Sequence, residues 1–429
     1  IYGASLIAEF AGAAVLPFCF LYATRVCRRG SLADICGLAA AFALLLLTHL
    51  PTSIMACVTL FVYCLATLKR DTYMQGIAKL GVSVFWGLIA CSFYWVRMAS
   101  ELDLVKHSAD TFSTDYFSYK THFVFLKLIP FMEAKTAATS SFLDNLTLIS
   151  LIVVVPFLVV YFIKARESRE YPITNVVLIT ALTFLMTTPL SVWAWDYLPL
   201  LHRIQFPWRW LIFFALGSSM IIAAAIPAVI EYAKTPKRFL SMICVGALVA
   251  FIPYNVFNLM NPLFTYPQDY FNGMVERFKT YPSFECWWTS WAQKDENADN
   301  PYVMPRPKHI SETVAANGRA TSIEEWLPTK RRFTIHDGEA TTINVATLYY
   351  PHWKVKVNGS PVEVTPSDIG LISFAAPSGD LAVDLYFEEP RKVIVSFYLS
   401  AFAWLLIFGL SAYSRFGRTV RTVSIPKLD

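Results

Sequence analysis

The chain has 429 residues, of which 55% are hydrophobic, 15% aromatic and 16% charged, and its mean hydropathy is +0.46. Soluble domains carry about 25% charged residues, so this composition excludes an ordinary soluble enzyme, and it excludes intrinsic disorder. The formal net charge of +5 comes without a basic tract interleaved with aromatics, which argues against a nucleic-acid partner.

Apolar blocks long enough to cross a hydrocarbon core of about 30 Å recur along the chain. Nine spans are expected: Ala4–Tyr22, Leu32–Leu50, Thr52–Leu68, Met74–Val96, Leu146–Ile163, Val176–Trp195, Trp208–Ile230, Phe239–Leu259 and Val393–Tyr413. Pro17, Pro156, Pro189 and Pro227 lie inside them. Helices in lipid tolerate proline where neighbours satisfy the freed backbone groups. The chain opens on Ile1, not Met, and enters a span almost at once, so a longer protein with further N-terminal sequence is expected.

Lys and Arg alternate between the connections. Arg25, Arg28 and Arg29 follow the first span, and Lys69 and Arg70 the third. Lys164, Arg166 and Arg169 follow the fifth, and Lys234, Lys237 and Arg238 the seventh. Arg415, Arg418, Arg421 and Lys427 end the chain. The positive-inside rule then puts these loops and the C-terminus in the cytoplasm of a plasma (inner) membrane. Residues 98–145 and 260–392 face outside. The expected organisation is a bundle over 1–260, an extracytoplasmic domain over 261–392, a last span over 393–413 and a basic tail over 414–429.

The outer loop 98–145 is polar but carries Phe112, Tyr116, Phe117, Tyr119, Phe123 and Phe125. It is either packed on the bundle or a lid over a cavity. In the outer domain, residues 261–309 are rich in aromatics and proline and read as irregular, with a short helix near Asp269–Phe278. Residues 310–390 switch to a period of two. Strands are expected at Thr342–Tyr350, Trp353–Val357, Val362–Val364, Leu371–Ala375 and Leu381–Phe387, forming an antiparallel β-sandwich. Asn358-Gly359 marks a tight hairpin and Ser378-Gly379-Asp380 a second turn.

Eight cysteines are present, and none forms a CxxC or Cys/His metal spacing. No metal site is expected; a divalent cation would be compatible with the chemistry, but no ligand cluster demands one. Several ionisable residues instead converge on the outer edge of the bundle. These are Glu9 in the first span, His49 after the second, Arg203 and Arg209 at the seventh, and Glu101 and Asp103 after the fourth. Charge in a bilayer is costly and marks function or a helix-packing pair. Arg suits a lipid phosphate, His can donate or transfer a proton and a carboxylate can act as a base. Trp287 and Trp288 could stack on sugar rings or hold the domain on the membrane surface. A proton or ion relay in a transporter is the competing reading.

Short motifs in the same order resemble a known family. Tyr2-Gly3-Ala4-Ser5-Leu6-Ile7-Ala8-Glu9 with Leu16-Pro17 resembles "YxRGxxAE…LP" of large bacterial membrane proteins. Thr48-His49-Leu50-Pro51 resembles "THLP", Phe93-Tyr94-Trp95 with Glu101 resembles "FFWLPAxxE", and Leu200 with Phe206-Pro207-Trp208-Arg209 resembles "LxxxQFPWR". Tyr349-Tyr350-Pro351-His352-Trp353-Lys354-Val355-Lys356-Val357-Asn358-Gly359 resembles their C-terminal "YYPGWKVYVDGK". Tyr2 stands where the family has Arg, and Val96-Arg97 displace its Pro.

The family is that of integral membrane proteins labelled 6-pyruvoyl-tetrahydropterin-synthase-related, together with the similar YfhO-like proteins. The resemblance implies a polytopic GT-C-type glycosyltransferase fold with an outer β-sandwich. It implies transfer of a sugar from a polyprenyl-phosphate donor in the membrane to an extracytoplasmic glycan or protein acceptor. Arg209, His49, Arg203 and Glu9 would hold the lipid phosphate, and Glu101, Asp103, Trp287 and Trp288 would meet sugar or acceptor. The acidic catalytic motif of such folds would lie upstream of Ile1, which leaves the catalytic base unassigned. The alternative is a lipid or polysaccharide transporter, or a membrane scaffold with a binding sandwich.

Overall fold

A computed structural model describes residues 7–106, 118–126, 138–164, 173–202, 206–232, 288–295 and 307–422, with isolated positions between 204 and 273. The chain divides into two compact units. One comprises Ile1–Ser92, Ser113–Tyr266 and Leu399–Asp429; the other comprises Phe93–Phe112 and Pro267–Tyr398.

The first unit is helical. Its helices are α1 (Ile7–Arg28), α2 (Leu32–Thr48), α3 (Leu50–Thr67) and α4 (Tyr73–Ala90). After α5 (Ser92–Glu101), which lies almost wholly in the second unit, come α6 (Ala138–Lys164), α7 (Ile173–Thr187), α8 (Val192–Tyr197), α9 (Pro199–His202) and α10 (Leu211–Tyr232). The last described helix, α11, runs from Arg391 to Thr422. Among the described residues six helical stretches are long and apolar enough to cross a membrane, and a seventh is a bent pair. The chain therefore has the make-up of a membrane protein with an added β region. The expected span Phe239–Leu259 falls outside the described residues, as does most of the helix expected near Asp269–Phe278.

Packing follows helical periodicity. On α1 the buried positions are Glu9, Gly12, Leu16, Cys19, Phe20, Ala23, Val26 and Cys27, a stripe at three- and four-residue spacing. They meet Leu38, Leu45, Met55, Leu60 and Tyr63 in the core. Ser31 and Asp34 form a capping box that starts α2. Gly30, at φ +58°, ends α1 with its N–H donating to the Arg25 carbonyl.

Two expected spans differ from straight helices. The span expected over Val176–Trp195 breaks between α7 and the turn Pro189–Ser191, with a bend of 91°. Thr188 is extended, as a residue before proline prefers, and Pro189 has no N–H to continue the ladder. The span expected over Met74–Val96 ends at Ala90. There the Cys91 thiol donates back to the Gly87 carbonyl, and α5 starts anew. The loop expected over 98–145 is also shorter at its end, because α6 already begins at Ala138. Its residues 118–126 are packed into the bundle: Phe123, Val124 and Leu126 are each 1% exposed. Tyr119 stacks on Trp195, and the Val124 N–H donates to Thr187 O. Phe125 takes a positive φ of 60°, held by its N–H donating to Asp144 Oδ1 at 2.6 Å.

The second unit holds two antiparallel sheets. Its strands are β1 (Val314–Ala315), β2 (Thr321–Leu327), β3 (Lys330–Ile335), β4 (Thr341–Leu348), β5 (Trp353–Val357), β6 (Ser360–Val362), β7 (Thr365–Pro366), β8 (Leu371–Ala376) and β9 (Leu381–Phe387). One sheet has the order β1-β4-β8-β7 and the other β2-β3-β9-β5-β6. Inward residues from both, including Phe333, Ile343, Val345, Val355, Phe374, Val383 and Leu385, form one core. Asn358 and Gly359, at φ 50° and 81°, make the expected hairpin, with Val357 paired to Ser360. At Gly370, φ +81°, any Cβ would stand 2.2 Å from the Trp291 carbonyl oxygen, so the close approach requires glycine.

Strands β2 and β3 were not among those expected. Arg331 occupies an inward position on β3 and is 8% exposed, with its guanidinium carbon 4.5 Å from the Trp326 ring and 4.7 Å from the Trp353 ring. Burial holds its pKa below the usual arginine value. The two ring faces supply a cation–π environment for the buried guanidinium.

Candidate functional site

The helical unit brings three of the sequence-selected residues to one end. Glu9 is in the first turn of α1, and Arg25 and Arg28 are in its last turn, so the Glu9 end is opposite the arginine end. Glu9 Oε2 lies 3.4 Å from Arg209 Nε, with both side chains about nine-tenths buried. Arg209 belongs to the single turn Pro207–Trp210 that leads into α10. Its Nη1 donates to the Ile204 carbonyl at 2.6 Å. Its guanidinium carbon lies 5.0 Å from the Phe206 ring centre and 5.9 Å from that of Trp208, and those two rings are stacked on each other. The Phe-Pro-Trp-Arg string thus folds into a cradle: proline starts the turn, and the flanking aromatics cover the planar cation.

His49 joins α2 to α3 as a one-residue corner. Its N–H caps α2 by donating to Leu45 O. Its Nδ1 caps α3 by accepting from the Thr52 N–H, and it lies 2.7 Å from Thr52 Oγ1. Pro51 suits the first turn of α3. Gly12, one turn along α1 from Glu9, is where a Cβ would meet His49 Cβ at 3.4 Å. Glu9, His49 and Arg209 therefore form one polar cluster in an apolar unit. Thr52 was missed, although a Thr three residues after the corner residue is a capping signal. Arg203 lies outside the described residues.

Glu101 is placed elsewhere. In the β-containing unit it ends α5 and is 8% exposed. Tyr350 OH donates to its Oε2 at 2.8 Å, and His352 Nε2 lies 3.1 Å from its Oε1. Burial, and then the hydrogen bond to Glu101, push the Tyr350 hydroxyl pKa well above its usual value. Beside it, Arg97 pairs with Glu389. The following residues pair with the segment around Trp288. Val105 bridges Thr289, and the Lys106 N–H donates to Trp288 O at 2.9 Å. Asp103 is exposed and takes part through its backbone carbonyl, which accepts from Ser290 Oγ. Trp288 is 1% exposed with the Lys106 ammonium over its ring, so it is seated in this unit and not presented to solvent. Trp287 lies outside the described residues.

Among the described residues no group of three or more His, Cys, Asp or Glu side chains could hold a metal ion. No family model matches the chain, and neither a curated protein nor a solved structure matches it.

Proposed function

We propose that this chain belongs to a GT-C-like membrane glycosyltransferase that moves a sugar from a polyprenyl-phosphate donor to an extracytoplasmic acceptor. The supporting observation is the buried Glu9–Arg209 pair beside His49, at the end of the helical unit remote from Arg25 and Arg28. A guanidinium offers five donors in a plane and binds phosphate oxygens in bidentate fashion. In transfer, the acceptor hydroxyl oxygen bonds to the anomeric carbon and its proton passes to a general base. The bond from that carbon to the phosphate oxygen breaks, and the electron pair leaves on the lipid phosphate. Arg209 stabilises that developing charge, because a donor fixed in advance among Phe206, Trp208 and the Ile204 carbonyl needs little reorganisation. Glu9 orients the guanidinium, and His49 adds a polar group at the same end. In this reading the nine-span weave has its basic connections in the cytoplasm of a plasma (inner) membrane, and Glu101 serves to position its segment.

One observation favours a transporter instead. The helix broken by 91° at Pro189 resembles the discontinuous helices from which transport sites are built. Donor consumption separates the two readings. The full-length protein in lipid, offered a panel of polyprenyl-phosphate sugars, should consume one of them. Glu9→Gln combined with Arg209→Gln, which removes both charges together, should fold and lose that turnover. Binding without turnover across the panel would favour transport, and undiminished turnover in the double variant would remove the pair from the mechanism.

A further inference from the structure

A second feature lies towards the opposite end of the same helical unit. A groove of about 480 Å³ runs between α1, α3, α7 and α10. Its apolar part is lined by Pro17, Phe20, Leu21, Leu216, Met220 and Ala224. Towards the C-terminus of α1 the lining changes to Thr24, Arg25, Arg28, Arg29 and Tyr63. The three arginines are exposed. The Thr24 and Tyr63 hydroxyls lie 2.8 Å apart in the wall below them. Gly30 fixes this end of α1 in a left-handed turn, so the arginines sit on a defined terminus.

Positive charge at a helix end on one side of a membrane is ordinary. Here it lies at the mouth of a groove whose walls beyond the Thr24 and Tyr63 hydroxyls are hydrocarbon. The two halves match the two halves of one molecule: acyl chain against Leu21, Leu216 and Met220, and phosphate against Arg25, Arg28 and Arg29. We propose that this groove is a binding site for a phospholipid with an anionic headgroup, separate from the Glu9–His49–Arg209 cluster and independent of the transferase reading. Basic pockets between membrane helices hold such headgroups by several charge contacts at once.

The test measures lipid retained by the purified, delipidated chain after incubation in micelles containing equal dioleoyl phosphatidylglycerol and dioleoyl phosphatidylcholine. Size-exclusion chromatography followed by mass spectrometry quantifies both. The wild-type chain should retain phosphatidylglycerol over phosphatidylcholine by on the order of 10- to 100-fold. Arg25→Gln/Arg28→Gln/Arg29→Gln should abolish the preference. Ala223→Trp, which fills the groove and keeps every arginine, should lower phosphatidylglycerol retention, whereas Ile152→Trp on the exposed face of α6 should not. Equal retention of the two lipids by wild type would overturn the proposal. So would a preference surviving in the triple variant, undiminished retention in Ala223→Trp, or an equal loss in Ile152→Trp. If the triple variant does not fold, Ala223→Trp against Ile152→Trp decides alone.

Discussion

Glu9 and Glu101 are buried to the same degree, at 7% and 8% exposure, yet their surroundings differ in kind. Glu9 faces a guanidinium that brings its own charge, beside the His49 corner in a largely apolar unit. Glu101 is held by a phenol and an imidazole, with hydrogen bonds to both of its oxygens. The first arrangement leaves a buried cation and anion that a ligand of either sign can compete for. The second ties one distant segment to a single side chain, through Tyr350 and His352, which lie 249 and 251 residues further along the chain. Equal burial thus distinguishes neither role; the chemistry of the partner does.

The largest effect should come from breaking the charged pair on one side only. Arg209→Ala leaves Glu9 buried without its cation, and such changes cost about 3–5 kcal/mol. The Glu9→Gln/Arg209→Gln double variant should recover most of that stability, measured by denaturation of the detergent-solubilised chain. If the double variant were as unstable as the single one, the pair would not be the unit that matters.

Glu101→Ala should come next. It removes two hydrogen bonds and leaves Tyr350 and His352 with less to bond, for about 2–4 kcal/mol. Glu101→Gln keeps an acceptor for Tyr350 and should lose about half as much. Tryptophan fluorescence melts read this directly, and equal losses in the two variants would place the effect in the charge, not the hydrogen bonds.

Arg331 sharpens the contrast from a third side, as a buried cation with aromatic faces and, among the described residues, no paired anion. Among the described residues its Nε and Nη1 have no hydrogen-bond partner. Its cation–π contacts are worth about 2 kcal/mol when desolvated. Arg331→Met keeps the volume without the charge and should change the melting temperature less than Arg331→Ala does. A larger loss in Met than in Ala would show a hidden polar partner.

The smallest effect concerns a neutral ring. His122 is held between Ser118 O at 2.9 Å and the Phe206 ring at 4.7 Å, and burial lowers its pKa below the usual histidine value. Its stabilising contribution is complete above about pH 6.5, where the unfolded histidine is also neutral. It is lost as pH falls below that value, because the unfolded chain takes up the proton first. His122→Asn should flatten the fall in melting temperature between pH 7 and pH 5; an unchanged slope would assign the acid sensitivity to other groups.

Much of this architecture can be read along the chain, and the exceptions have physical causes. Trp353–Val357 and Leu381–Phe387 match their expected bounds because their inward residues are apolar and regularly placed. Strand β2 escaped because most of its positions are exposed, and β3 because Lys330, Arg331 and Arg332 conceal its alternation. Arginine reads as surface in a sequence; only the approach of Trp326 and Trp353 turns it inward. Arg25, Arg28 and Arg29 after the first span and His49 after the second are legible because charge and span ends are local features, whereas the capping of α2 and α3 by His49 was not foreseen. Nor was the 91° bend, because a proline in an apolar run is equally compatible with a straight helix whose neighbours compensate. The partners of Glu101 were beyond reach for a different reason: tertiary pairing over such sequence distances leaves no local mark.

Gly370 carries a consequence for how this protein can vary. The space a side chain would need there is filled by a peptide carbonyl, which cannot swing aside as a flexible side-chain tip can. Gly359 also has a positive φ, but nothing lies within 4 Å of its missing Cβ. In a saturation library screened for folded chains, position 359 should therefore admit asparagine and aspartate, whereas position 370 should return glycine alone. Two glycines with the same backbone angle would then evolve under unequal constraint, one replaceable and one not.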